Sequence, residues 1–227
     1  MIRAILAAAL LLFALPATAQ QTEAEATTEA VAPAAVPVAP PAPPAPPEKV
    51  WKTQRVRMVT AHGPIVIELE TERAPLTSAN FLKYVDQKKF DGINFYRALT
   101  FPGRVDLGLV QAGLRDQKQL LPPIAHEPTT KTGLTHKDGT ISMARVAPGS
   151  AQADFFIIIG DLSTLDANPA AKGDNAGFAA FGKVVEGMDV VKKILASPVS
   201  ATEGVGAMKG QMIAKPVPVV SVRRVPK

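Results

Sequence analysis

A chain of 227 residues with no cysteine and only three histidines, His62, His126 and His136, has little material for covalent or metal-based catalysis. Thiol nucleophiles, thiolate metal sites and disulfide scaffolds are excluded outright. The spacings that assemble other reactive sites are also missing: there is no G-x-S-x-G elbow, no H-E-x-x-H pair and no G-x-x-x-x-G-K-[ST] phosphate loop. His126-Glu127 is a lone dipeptide in a polar, proline-bearing loop and is expected to be a solvated surface pair. Asp161, Asp166 and Asp174 carry the oxygen ligands that a hard cation prefers. They fall on a Gly/Pro/Asn-rich stretch, however, where aspartate forms turns. The residues therefore predict neither a metal nor a cofactor.

The elements that must position any site are short and mostly extended. Residues 55–60 alternate, Ala61-His62-Gly63-Pro64 reads as a turn, and residues 65–70 alternate again with Ile65, Ile67 and Leu69 on one face, which predicts a hairpin. Pro75 suits the first turn of a helix. Ala79, Leu82 and Val85 then recur at helical spacing, and Lys88, Lys89 and Gly92 close it. Strands are predicted at 94–98, 109–111, 140–143, 155–159 and 179–184, with an irregular stretch around Pro102. A second helix over 187–195 and a strand around 217–222 complete the chain. Many short strands with two helices make the fold mainly β, a closed antiparallel barrel with helices at its ends.

The first fifty residues differ from the rest. Arg3 precedes an unbroken apolar run over residues 5–15, Pro16 breaks it, and Ala17-Thr18-Ala19 fits a small-x-small cleavage site. Residues 1–19 are expected to be a signal peptide, too short to span a bilayer, which needs about 20 apolar residues. In a bacterium the exported product would be periplasmic, with no membrane association after cleavage. Residues 20–50 form an Ala/Pro-rich linker lacking large apolar side chains, expected to be disordered or extended as polyproline II. Residues 51–227 are expected to form the folded domain. The formal charge is +5, but the basic residues are scattered and aromatic residues few, so nucleic acid is not an expected partner.

Six stretches are informative together: Phe95-Tyr96-Arg97, Leu109-Val110-Gln111-Ala112-Gly113, Ser142-Met143-Ala144-Arg145, Ala153-Asp154-Phe155-Phe156-Ile157, Leu165-Asp166, and the run from Phe181 to Met188. In their order and spacing, from about Met58 to Val222, the chain resembles the cyclophilins, peptidyl-prolyl cis-trans isomerases, and especially their bacterial periplasmic members. The resemblance implies a closed eight-stranded antiparallel β-barrel capped by two α-helices, with a substrate groove on its outer face. It implies Arg97 as the catalytic arginine, Gln111 as its glutamine, Phe156 as the floor of a proline pocket, and Ala144 and Arg145 as an edge that contacts substrate backbone. It places Leu109, Leu165 and Phe178 at or near positions that wall that pocket. It further implies no cofactor, proline-containing segments of unfolded or exported proteins as partners, and a monomer. A binding or chaperone module with little turnover is the alternative.

The departures from the family pattern lie in the site. Residues 98–110 make a longer connection than the family's, and the place of a pocket phenylalanine reads Gly108, with Phe101 a candidate to fold back in its stead. Asp154 stands where a glutamine is usual, and Thr164 where an aromatic is common.

Overall fold

Alternation along the chain becomes two faces of each strand. The computed structural model describes residues 49–226; the expected signal peptide and nearly all of the linker lie outside them. β1 (Gln54–Thr60) and β2 (Gly63–Leu69) pair antiparallel from Gln54↔Leu69 to Thr60↔Gly63. Val56, Met58, Ile65, Ile67 and Leu69 are fully buried on the shared face. The remaining strands are β3 (Asn94–Phe101), β4 (Arg104–Gly113), β5 (Thr140–Met143), β6 (Phe155–Ile159), β7 (Ala179–Glu186), β8 (Val199–Ser200) and β9 (Met212–Val225). Their order is β1-β2-β7-β5-β6-β4-β3-β9, and an antiparallel β1–β9 ladder closes the ring. The expected eight-stranded barrel is thus present, with β8 a two-residue addition at the edge of β9.

Two helices cover the barrel. α1 (Pro75–Asp86) packs on β7 and β9, and α3 (Met188–Leu195) buries Val190, Val191, Ile194 and Leu195 against β2, β3 and β4. α2 (Thr129–Thr132) is a single turn. Phe81 of α1 enters an aromatic cluster, with ring centroids 4.9 Å from Phe90 and 5.4 Å from both Phe155 and Phe181. Among the described residues no helix is long and apolar enough to cross a membrane.

Two expectations require correction. The stretch around Pro102 is not irregular: β3 and β4 run on to Phe101↔Arg104, with Gly103 supplying the positive φ of the turn. Nor are both members of the His126-Glu127 pair solvated. Glu127 is 1% exposed. Its carboxylate accepts from the backbone N–H of Leu76 at 3.2 Å and from Thr77 through both N–H and Oγ1 at 2.7 Å. α1 begins at Ala74-Pro75 with no side-chain cap of its own. A distant carboxylate therefore satisfies its free N–H groups and the positive end of its dipole.

Candidate active site

β4 and β6 are apolar on both faces, and this creates the site. Phe155 and Ile157 point into the barrel, whereas Phe156 and Ile158 join Leu109 and Leu162 in a second cluster on its outer wall. Leu99, Ala144, Leu165 and Phe178 pack around that cluster. Of these, Leu99, Leu109, Ala144, Phe156, Leu165 and Phe178 line a groove of about 500 Å³.

Register brings the polar pair to its rim. Arg97 lies opposite Gln111 on the β3–β4 ladder, and facing residues of an antiparallel pair share one side of the sheet. Arg97 Nη1 donates to Gln111 Oε1 at 2.8 Å, and Gln111 Nε2 donates to the Tyr96 hydroxyl at 2.6 Å. Burial lowers the pKa of Arg97, but a guanidinium remains charged at any working pH. Among the described residues no carboxylate pairs with it. Tyr96 is nearly buried and its pKa is pushed up to about 12, first by burial and then by the charge of Asp154.

The walls are fixed by bonds away from the groove. Phe178 meets Phe156 edge-on at 5.4 Å, and its N–H donates to the Leu165 carbonyl at 2.9 Å. Arg145 lines the groove, yet its guanidinium is committed: it bridges both Asp174 oxygens at 2.6 and 2.9 Å, donates to Gly177 O, and lies 5.0 Å from the Phe178 ring. Beneath the floor, the buried His136 ring stacks on Phe156 at 6.1 Å. Its Nδ1 is 2.5 Å from Asp166 Oδ1 and its Nε2 is 2.9 Å from Ser142 Oγ. This serine–histidine–aspartate order is not a nucleophilic triad, because Ser142 is fully buried and outside the groove. It ties the strand under Phe156 to the loop carrying Leu165.

Eight of the nine predicted site residues line this groove: Arg97, Gln111, Leu109, Ala144, Arg145, Phe156, Leu165 and Phe178. Phe101 does not. It closes the β3–β4 hairpin and is 37% exposed, because the extra residues lengthen the ladder instead of folding back. Gly108 is not a vacated pocket position either. A Cβ there would lie 2.3 Å from the Leu99 carbonyl oxygen and 3.1 Å from Leu195 Cδ1, inside the barrel. Leu99 supplies apolar wall that the sequence did not point to. Asp154 is in the groove, and among the described residues its buried Oδ1 has no hydrogen-bond partner. That oxygen occupies the space where a Cβ on residue 113 would sit, at 1.5 Å, so only glycine fits there. Burial raises the Asp154 pKa, while Arg115 and Tyr96 oppose the shift. Gln211, which no motif marked, bonds to Arg97 Nε.

Residues 55–223 match the family model "Cyclophilin type peptidyl-prolyl cis-trans isomerase/CLD". A peptidyl-prolyl cis-trans isomerase of Acinetobacter baylyi is 36% identical over 170 residues, covering 74% of this chain and 84% of the relative. Peptidyl-prolyl cis-trans isomerase A of Dickeya dadantii is 35% identical, covering 76% and 85%. In three dimensions the chain is similar to a cyclophilin type peptidyl-prolyl cis-trans isomerase of Cryptosporidium parvum solved in the presence of the dipeptide Ala-Pro. That likeness has a TM-score of 0.60 at 18% identity and covers 77% of this chain and all of the other.

Proposed function

Because the chain belongs to the cyclophilin-type peptidyl-prolyl cis-trans isomerases, we propose that the groove between β3, β4 and β6 is where it turns X–Pro bonds, with Arg97 as the donor. The reaction breaks no covalent bond. Amide resonance puts a barrier of about 18–20 kcal/mol on rotation, and uncatalysed exchange takes tens of seconds or longer. In the twisted state the proline nitrogen regains a localised lone pair, and a charged N–H aimed at it stabilises that state over either planar isomer. Phe156, Leu109, Leu165 and Phe178 hold the ring while the preceding carbonyl swings. Such discrimination between twisted and planar forms is what lowers a barrier. Gln111 orients the guanidinium without neutralising it, since an amide oxygen accepts without bringing negative charge.

The observation that carries this reading is a half-buried cation that, among the described residues, has no carboxylate partner at the rim of an apolar groove. Exchange spectroscopy on an Ala-Pro peptide tests it. Arg97→Ala is expected to lose about one to two decades of turnover, the worth of a charge-assisted hydrogen bond of about 1.5–3 kcal/mol. Arg97→Lys should not restore it, because a single ammonium cannot both bond Gln111 and keep a rigid donor free. Undiminished exchange with Arg97→Ala would remove Arg97 from the mechanism.

We further infer that the substrates are X–Pro bonds of exported proteins folding in the periplasm. The leader-like pattern of Arg3, the apolar run 5–15 and Ala17-Thr18-Ala19 supports this. A tagged full-length chain should appear in the periplasmic fraction with Gln20 as its first residue. An uncleaved chain in the cytosol would overturn it.

A further inference from the structure

The guanidinium of Arg97 is held from two sides by neutral amides. Nη1 donates to Gln111 Oε1, and Nε donates to Gln211 Oε1, each at 2.8 Å. Gln211 lies 114 residues further along the chain, just before β9. It is itself doubly anchored: its Nε2 donates to the Ala207 carbonyl at 2.7 Å, and its backbone carbonyl accepts from the Ala98 N–H at 2.9 Å. The second anchor joins it to the residue after Arg97 on β3. Among the described residues Arg97 Nη2 makes no hydrogen bond.

A guanidinium is a planar fork with five N–H groups in fixed directions. One hydrogen bond leaves it free to pivot, whereas bonds at Nε and Nη1 fix both its plane and its reach. We propose that Gln211 is a positioning residue for the isomerisation, setting the Arg97 guanidinium so that Nη2 is the edge presented to substrate. The proposal rests on the reading of Arg97 as the substrate donor. Both holders are amides, so the fork is fixed without being paired with an anion. A carboxylate at either place would complete an ion pair and weaken the donor towards a developing lone pair. The same loop brings Met208 to the groove wall, but Met208 would act through contact with substrate, and Gln211 through the geometry of the donor.

Wild type, Gln211→Ala, the nearly isosteric Gln211→Met, Met208→Ala and Arg97→Ala are compared by steady-state exchange of an Ala-Pro peptide. The Arg97 Nε–H resonance is followed by 1H–15N NMR. Both Gln211 variants should lose about tenfold in kcat with KM changed by less than about twofold, the loss expected for one hydrogen bond to a charged group. The Nε–H resonance should shift and broaden in both. Met208→Ala should change KM and leave that resonance in place. If kcat is unchanged in the Gln211 variants, if only KM rises, or if kcat falls with the Nε–H resonance unmoved, Gln211 merely shapes its loop and the proposal is wrong. Gln211→Met keeps the test open should Gln211→Ala fail to fold. Arg97→Ala with undiminished turnover would instead defeat the reading of Arg97 as donor, a failure distinguishable from that of Gln211 alone.

Discussion

Asp154 keeps one carboxylate oxygen buried, without a donor among the described residues, in the space that Gly113 leaves open. An unpaired buried acceptor costs stability, more so when ionised. Burial raises the pKa of Asp154 above that of an ordinary carboxylate, so the folded chain holds its proton more tightly than the unfolded chain does. The penalty is therefore absent below the ordinary carboxylate range and sets in as pH rises through the raised value. Asp154→Asn should melt at a higher temperature than wild type at pH 7, and the difference should close as the pH is taken below about 4. A gain that persists in acid, or no gain at pH 7, would show that ionisation at Asp154 is not what costs stability. Arg145 is the converse, a charge fully engaged by Asp174 and Gly177 behind the Phe178 wall. Arg145→Ala should raise KM several-fold with little change in kcat, which peptide titration and exchange rates separate. Arg97, Gln111 and Phe156 were legible because each sits in a short stretch of distinctive residue types. Gln211 was not, since its meaning depends on a contact across 114 residues that no local spacing encodes.

The β3–β4 hairpin takes residues 98–110 into regular ladder and turn while its inner part still borders the groove. Its ladder continues to Phe101↔Arg104, and the register beyond the bulges still brings Leu99 and Leu109 into the groove lining. Phe101→Ala should leave peptide KM within about twofold of wild type, because an exposed ring at a hairpin tip contributes little. A large rise would place that ring on the substrate after all. Gly108→Ala is expected to be costly, by about 1–3 kcal/mol for overpacking, as its Cβ would meet the Leu99 carbonyl and Leu195. Strand alternation and the first helix were readable from apolar spacing alone. The cap on α1 was not: Glu127 lies some fifty residues away, in a loop whose composition reads as solvated. Glu127→Ala removes the acceptor for two backbone N–H groups and the Thr77 hydroxyl. It should destabilise the chain by about 2 kcal/mol, the upper range for losing a helix cap, readable as a lowered urea midpoint.

At the scale of the whole molecule, one sheet serves as container and binding surface, and this demands strands that are apolar on both sides. Phe155-Phe156-Ile157-Ile158-Ile159 announces such a strand, although an apolar run of five does not say which face meets the interior; alternation left that choice open, and the barrel made it by sending Phe155 inward. Behind the outward face, the neutral ring of His136 is enclosed between Phe156, Ser142 and Asp166. Burial lowers its pKa, against a hydrogen bond and the charge of Asp166 acting to raise it. The unfolded chain takes up that proton near the ordinary value of about 6.5, before the folded chain does. Stability that is intact above this value is therefore lost as pH falls through it towards the lower folded pKa. The ion-paired carboxylates act in a separate window: Asp86 and Asp91, held low by hydrogen bonds from Arg224 and Arg223, give up their contribution only below the ordinary carboxylate range. Asp154 opposes this with a gain as pH falls that is common to both chains, so between pH 8 and pH 5 the urea midpoint of wild type should fall relative to that of His136→Gln, which is less stable at pH 8 for its poorer packing. Parallel curves would mean that the acid sensitivity of this barrel arises away from the histidine beneath its groove.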